Sequence, residues 1–166
     1  MGLLSIPRNR RPRPQPAPFY DSGDIAIVKQ VQNALNLSLT LKSRAQMPAV
    51  GAIIAAQKDA IHEALQSLHY VHFARFLPTP DYSALQVVTS YDGDLQSYLM
   101  DFVNVLGPVF NALLDFVQDA PRLPVERYPQ DFIDFVSRNN MSSNGVWSAY
   151  PLDTVIDIQS APGTIR

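Results

Sequence analysis

A chain of 166 residues that is 46% hydrophobic and 17% charged, with a formal net charge of -2, has the size and composition of one globular domain and argues against a fully disordered polymer. It contains no cysteine, which excludes disulfides, thiolate metal sites and a cysteine nucleophile. Seven of its thirteen Lys and Arg residues precede Gln46 and the remainder is acidic, so nucleic acid is not an expected partner of the folded part.

Residues 1–20 hold five prolines and four arginines, a composition that disfavours hydrogen-bonded structure and predicts a disordered, basic, polyproline-like arm. Such an arm is either simply solvated or docks a partner or an anionic surface. Its basic residues follow its short apolar patch, the reverse of a secretory signal, and Ile6 stands where a myristoylation motif needs Ser or Thr. Residues 21–166 read as a single domain, opening with a short helix through Ile25–Ala34.

Leu35, Leu37, Leu39 and Leu41 then alternate with Asn36, Ser38, Thr40 and Lys42, the period of a strand with one apolar face. From Pro48, a first-turn residue, Val50, Ile53, Ile54, Ile61, Leu65 and Leu68 fall at helical spacing and predict one amphipathic helix. Two β-rich runs follow, one with Tyr70, Val71, Phe73 and Phe76, the other with Leu85, Val87, Val88 and Tyr91. The turn-rich stretch Pro78–Ser83 joins them as a hairpin.

Asp92 to Asp94 is read as the cap of a long helix in which Leu95, Leu99, Phe102, Leu106, Phe110, Leu113 and Val117 recur every three or four residues. Gly107-Pro108 is expected to kink or split it. Asp101, Asn104 and Pro108 interrupt its apolar run short of the roughly 18–20 residues a bilayer needs, so no transmembrane segment is expected and cytoplasm is the default location. Pro121 and Pro124 break the chain, Tyr128–Asn140 predicts a short helix, and Gly145–Tyr150 predicts a last strand. Leu152–Ala161 reads as a helical turn or an extended tail.

Strand, helix, strand, strand, helix, small helix and strand is the split βαβ order of a ferredoxin-like fold, of α+β class with an antiparallel sheet. The hairpin supplies apolar groups to both faces of that sheet, which predicts a cover for the face the helices leave bare. A second subunit packed sheet to sheet, giving a dimeric α+β barrel, would provide it, as would the N-terminal arm or the late helices.

The segments NLSLTLK at 36–42, VHFARFL at 71–77, VVTSYDGDLQSYLMDF at 87–102 and SAYPLDTV at 148–155 resemble a poorly characterised group of bacterial ferredoxin-like proteins and domains, some found with haem peroxidases of the catalase and dye-decolourising types. The resemblance implies a dimeric barrel-like fold and an oxidative or haem-linked context, without assigning a reaction. It departs after Lys42, where similar sequences often have Pro-Gly and this chain has Ser43, Arg44 and Ala45.

His69 and His72, three apart on a strand, are expected on opposite faces and so do not share a metal. His72 suits axial ligation of haem iron or a base role in a cavity between sheet and helices, against the plainer reading of a hydrogen-bonded sheet histidine. Arg75 interrupts an apolar strand, where a guanidinium needs a carboxylate such as Asp92 or Asp101, or an anionic ligand. Asp92 is a further proton-handling candidate and Tyr91 a further cofactor-lining one; Tyr91, Tyr98, Tyr150 and Trp147 read as an aromatic cavity or as core. His62 reads as a solvated helix residue. HExxH, GxSxG, GxGxxG and Walker motifs are absent. The leading functional expectation is an accessory or interaction protein beside an oxidative enzyme, dimeric or bound to a larger partner. The alternatives are a haem-dependent oxidoreductase and a lipophilic-ligand binding protein.

Overall fold

The structure, a computed structural model, describes residues 31–142 and 146–162. The expected arm at 1–20 and most of the helix expected from Asp21 lie outside the described residues. Within them the chain is of mixed α+β class: strand β1 (Gln32–Thr40), a 3-10 turn (Arg44–Gln46), helices α1 (Met47–Ala56) and α2 (Lys58–Ser67), strands β2 (Val71–Pro78) and β3 (Ala84–Asp92), then helices α3 (Leu95–Leu114), α4 (Pro129–Asn139) and α5 (Val155–Ser160).

The three strands form one antiparallel sheet in the order β1-β3-β2. Leu37 faces Val87 across one ladder and Phe76 faces Val87 across the other, so β1 and β2 run parallel to each other on either side of β3. Leu35, Leu37 and Leu39 are buried with Leu85, Val87 and Tyr91, and helices α1–α4 cover this inner face. Burying a Leu-sized side chain contributes about 1.5–3 kcal/mol, which makes the leucine alternation the main determinant of β1's facing. That alternation was legible. The strand nevertheless begins at Gln32, three residues before Leu35, and overturns the helix expected through Ala34: Gln32, Asn33 and Ala34 pair with Asp92, Tyr91 and Ser90.

The helix expected over 48–68 is two helices. They meet at Gln57, whose backbone leaves helical geometry at φ -99, ψ 9. The division follows composition, because α1 has no polar side chain over ten residues whereas α2 is amphipathic.

Helix α3 is the core helix. Asp94 caps it by accepting from Ser97 N at 2.9 Å, and ten of its residues are buried, from Tyr98 to Leu114. By length and composition it alone among the described residues could cross a membrane, with mean hydropathy 1.2, despite the interruptions at Asp101, Asn104 and Pro108, and most of its apolar residues are buried in the core. Pro108 sits inside it without splitting it. Gly107 lets the Glu126 side chain cross the helix at the position a Cβ would occupy, and Asn111 bonds Glu126 through Nδ2 and Val125 N through Oδ1. These contacts hold the 120–128 loop, which carries a cis Leu123-Pro124 bond, against α3.

The last strand expected at 145–150 is not formed over its described residues, Gly145 lying outside them. Val146–Tyr150 has no ladder partner among the described residues, and short crossings meet the outer edge of β1 instead. Lys42 N donates to Phe116 O, Gln118 N to Thr40 O, and Met141 N to Asn36 O, while the Asn140 side chain accepts from Asn36 N at 2.9 Å. Val31 N donates to Pro151 O at 2.9 Å at the strand's start. Leu152–Ala161 resolves as the short helix α5, fixed by a capping box between Thr154 and Asp157.

Candidate functional site

The four residues singled out from sequence divide between the two faces of the sheet. Tyr91 lies on the inner face, stacked on Tyr98 with ring centroids 4.1 Å apart and planes 7° from parallel. Tyr98 donates to Thr89 Oγ1 at 3.1 Å and meets Phe102, which begins a ladder through Phe110 to Phe132. Burial pushes the Tyr91 and Tyr98 phenols upward, so both are neutral packing groups near neutral pH. Tyr150 and Trp147 are each 61% exposed and join no such cluster, so the aromatic cavity expected from these four residues does not form.

His72 and Asp92 come together on the opposite face. The β2–β3 ladder pairs Val71 with Tyr91 and Phe73 with Ser90, leaving His72 as an extra residue in a bulge. The bulge turns His72 to the same side as Phe73, and its Nε2 lies 2.7 Å from Asp92 Oδ1. Asp92 Oδ2 accepts from Val155 N, the first residue of α5, at 2.8 Å. An ionised carboxylate only accepts, so a neutral His72 carries its proton on Nε2 and presents its lone pair at Nδ1. The side chains are 13% and 10% exposed, which places the pair at the edge of solvent. Asp92 therefore clamps three elements: the β2 bulge, the end of β3 and the start of α5. Gln32, which pairs with Asp92, donates from Nε2 to Tyr150 O and Asp153 O and holds the same segment.

Three expectations change here. His72 does not face a cavity between the sheet and the core helices; the bulge points it to the opposite side, where Asp92 meets the start of α5. Asp92 does not cap the following helix, because Gly93 at φ 88 turns the chain and Asp94 takes that role. Arg75 is exposed and has no carboxylate within ion-pair distance among the described residues, its contact being the Phe73 ring at 5.3 Å. Asp101 instead accepts from Tyr70 Oη at 2.9 Å, and burial followed by this bond raises the Tyr70 phenol. His69 precedes the strand in a left-handed conformation at φ 54, and His62 is exposed on α2.

The bare face carries apolar groups on one side only. Phe73 is 47% and Leu77 42% exposed on the edge strand β2, with Arg75 between them and half-buried Val88 opposite Arg75. Across the sheet the same face presents Asn36, Ser38 and Thr40 from β1 and Gln86 from β3. No group of three or more His, Asp or Glu residues able to hold a metal occurs among the described residues. What sequence reading missed is the role of the Val155 amide as Asp92's second partner; the Thr154-x-x-Asp157 box was the signal that a helix starts there. No family model, no curated protein and no solved structure matches this chain.

Proposed function

We propose that this protein is a small accessory or interaction protein of ferredoxin-like fold that self-associates through the exposed edge strand β2 of its sheet and acts beside an oxidative enzyme. The observation that carries the reading is the exposure of Phe73 and Leu77, two large apolar side chains two residues either side of Arg75 on an edge strand. The ferredoxin-like assignment draws support from the split βαβ order, with β3 between β1 and β2; the short crossings on β1 stand where a fourth strand would pair. The oxidative context rests on the resemblance of the segments at 36–42, 71–77, 87–102 and 148–155, and the basic N-terminal segment is the proposed contact to a larger partner. The proposal places the chain in the cytoplasm.

The nearest chemistry in the fold, the His72–Asp92 pair, is engaged in fastening α5, which suits a structural role better than a catalytic one. Light scattering with an in-line absorption spectrum on the full chain, purified without added cofactor, tests the proposal. A colourless dimer supports it. A colourless monomer overturns self-association. A Soret band removed by His72→Ala would replace it with a haem-dependent oxidoreductase, and lipid released on denaturation would replace it with a lipophilic-ligand carrier.

A further inference from the structure

The two edges of the sheet are treated differently. Main-chain and side-chain groups of residues 116–118, 140–141 and 151 meet the outer edge of β1, whereas β2 pairs only with β3 among the described residues. The ladder's phase fixes which β2 groups point outward. Thr79 N donates to Ala84 O and Asp92 N to Tyr70 O, so the even-numbered residues of β3 bond toward β2. Phe73, Arg75 and Leu77, their partners in the register, bond back, and the N–H and C=O groups of Ala74 and Phe76 face the open edge. An edge strand with apolar side chains and outward amides is a template for another strand.

We propose that β2 pairs antiparallel with β2 of a second copy, about a two-fold axis at Ala74; this rests on the self-association proposed above. Three registers centre such a pair on the middle of β2, with the axis at Ala74, Arg75 or Phe76. An axis at Arg75 sets two guanidiniums directly opposite each other, which like charges disfavour. An axis at Phe76 sets Ala74 against Pro78, which has no N–H to donate. An axis at Ala74 lets the two alanines exchange both their hydrogen bonds and lays Arg75 of each copy beside Phe73 of the other. Arg75 already lies 5.3 Å from the Phe73 ring in its own strand, and the register repeats that cation–ring match twice across the axis. Polar Asn36, Ser38, Thr40 and Gln86 on the rest of the bare face stay in water, which a sheet-to-sheet arrangement would not allow.

The absence of native cysteine makes the register directly readable. Ala74→Cys and Val88→Cys are made singly in the full chain, checked for folding by circular dichroism, and oxidised mildly. Directly opposed residues of a hydrogen-bonded pair lie roughly 5.5 Å apart between Cα atoms, within the range a disulfide spans. The expected result is a covalent dimer for Ala74→Cys and none for Val88→Cys, with Arg75→Glu weakening the dimer of the otherwise unchanged chain about tenfold. A scattering dimer that cross-links through Val88→Cys but not Ala74→Cys would overturn the edge register while leaving self-association standing. A monomeric parent chain would overturn both.

Discussion

His72 Nε2 and Asp92 Oδ1 meet at 2.7 Å because one extra residue in β2 turns the imidazole to the side of the sheet where Asp92 lies. Asp92's other oxygen holds the Val155 amide, so its two contacts are separable by mutation. Asp92→Ala is expected to destabilise the fold by about 1.5–3 kcal/mol, the range for hydrogen bonds to a charged group, and to speed hydrogen exchange at Val155. His72→Ala should cost less and leave Val155 protected. Exchange measured by NMR on both variants checks this, and equal loss of protection would show that the two bonds are not independent.

Core and edge aromatics should respond unequally to truncation. Phe102 and Phe132 are almost wholly buried, so replacing either with Ala should cost roughly 3–5 kcal/mol. Phe73 is 47% exposed in the single chain, and Phe73→Ala should cost under about 1.5 kcal/mol at concentrations where the protein is monomeric. Urea denaturation of dilute samples distinguishes the two classes.

Gly107 is a balance between helix propensity and the Glu126 side chain that crosses it. Gly107→Ala alone should be close to neutral, because the methyl group displaces Glu126 from Asn111. In a Glu126→Ala background the same change should stabilise by about 0.5–1 kcal/mol, the ordinary Gly-to-Ala gain in a helix. Additive effects in the double variant would remove the steric explanation.

Acid should loosen the hairpin. Hydrogen bonds from the Ser83 hydroxyl and amide, with smaller help from Thr79 and Arg44, lower Asp81 from 3.8 to about 2. A carboxyl depressed in the folded state adds stability above its ordinary value and loses it as pH falls through the folded value, here between about 4 and 2. Asp94 and Asp157, lowered chiefly by bonds from Ser97 and Thr154, titrate in the same direction. Melting temperature should therefore fall across that window, and less steeply in Asp81→Asn; a slope unchanged by the substitution would count against this assignment.

The parts of the fold that sequence made legible are those where one residue type repeats at the period of its element. Leucines at 35, 37, 39 and 41 declare β1's buried face, and Asp94 with the 95–113 spacing declares α3, whereas Val117, read as part of that helix, lies beyond its end and bridges to Leu41. Gln32–Ala34 carries no such repeat, and pairing with β3 alone makes it a strand. The break at Gln57 is invisible because apolar spacing continues across it. Sequence put the candidates His72, Arg75, Asp92 and Tyr91 on neighbouring strands but did not show their arrangement: of the four only His72 and Asp92 meet, on the face opposite Tyr91, because a bulge inverts the facing that alternation assigns to His72. Strands without a repeat of their own also invite false ones, as at Val146–Tyr150, where β propensity found no partner edge.

The blocked outer side of β1 limits how many copies a strand-to-strand contact could gather. A sheet with two receptive sides could accept a neighbour on each and grow without end, as fibrils do. With residues 116–118, 140–141 and 151 standing along one side, β2 is the receptive side among the described residues, and two chains joined there would present no second one to a third. The crossings that replaced a fourth strand would thus make pairing self-terminating, and keep an apolar strand end from seeding aggregation.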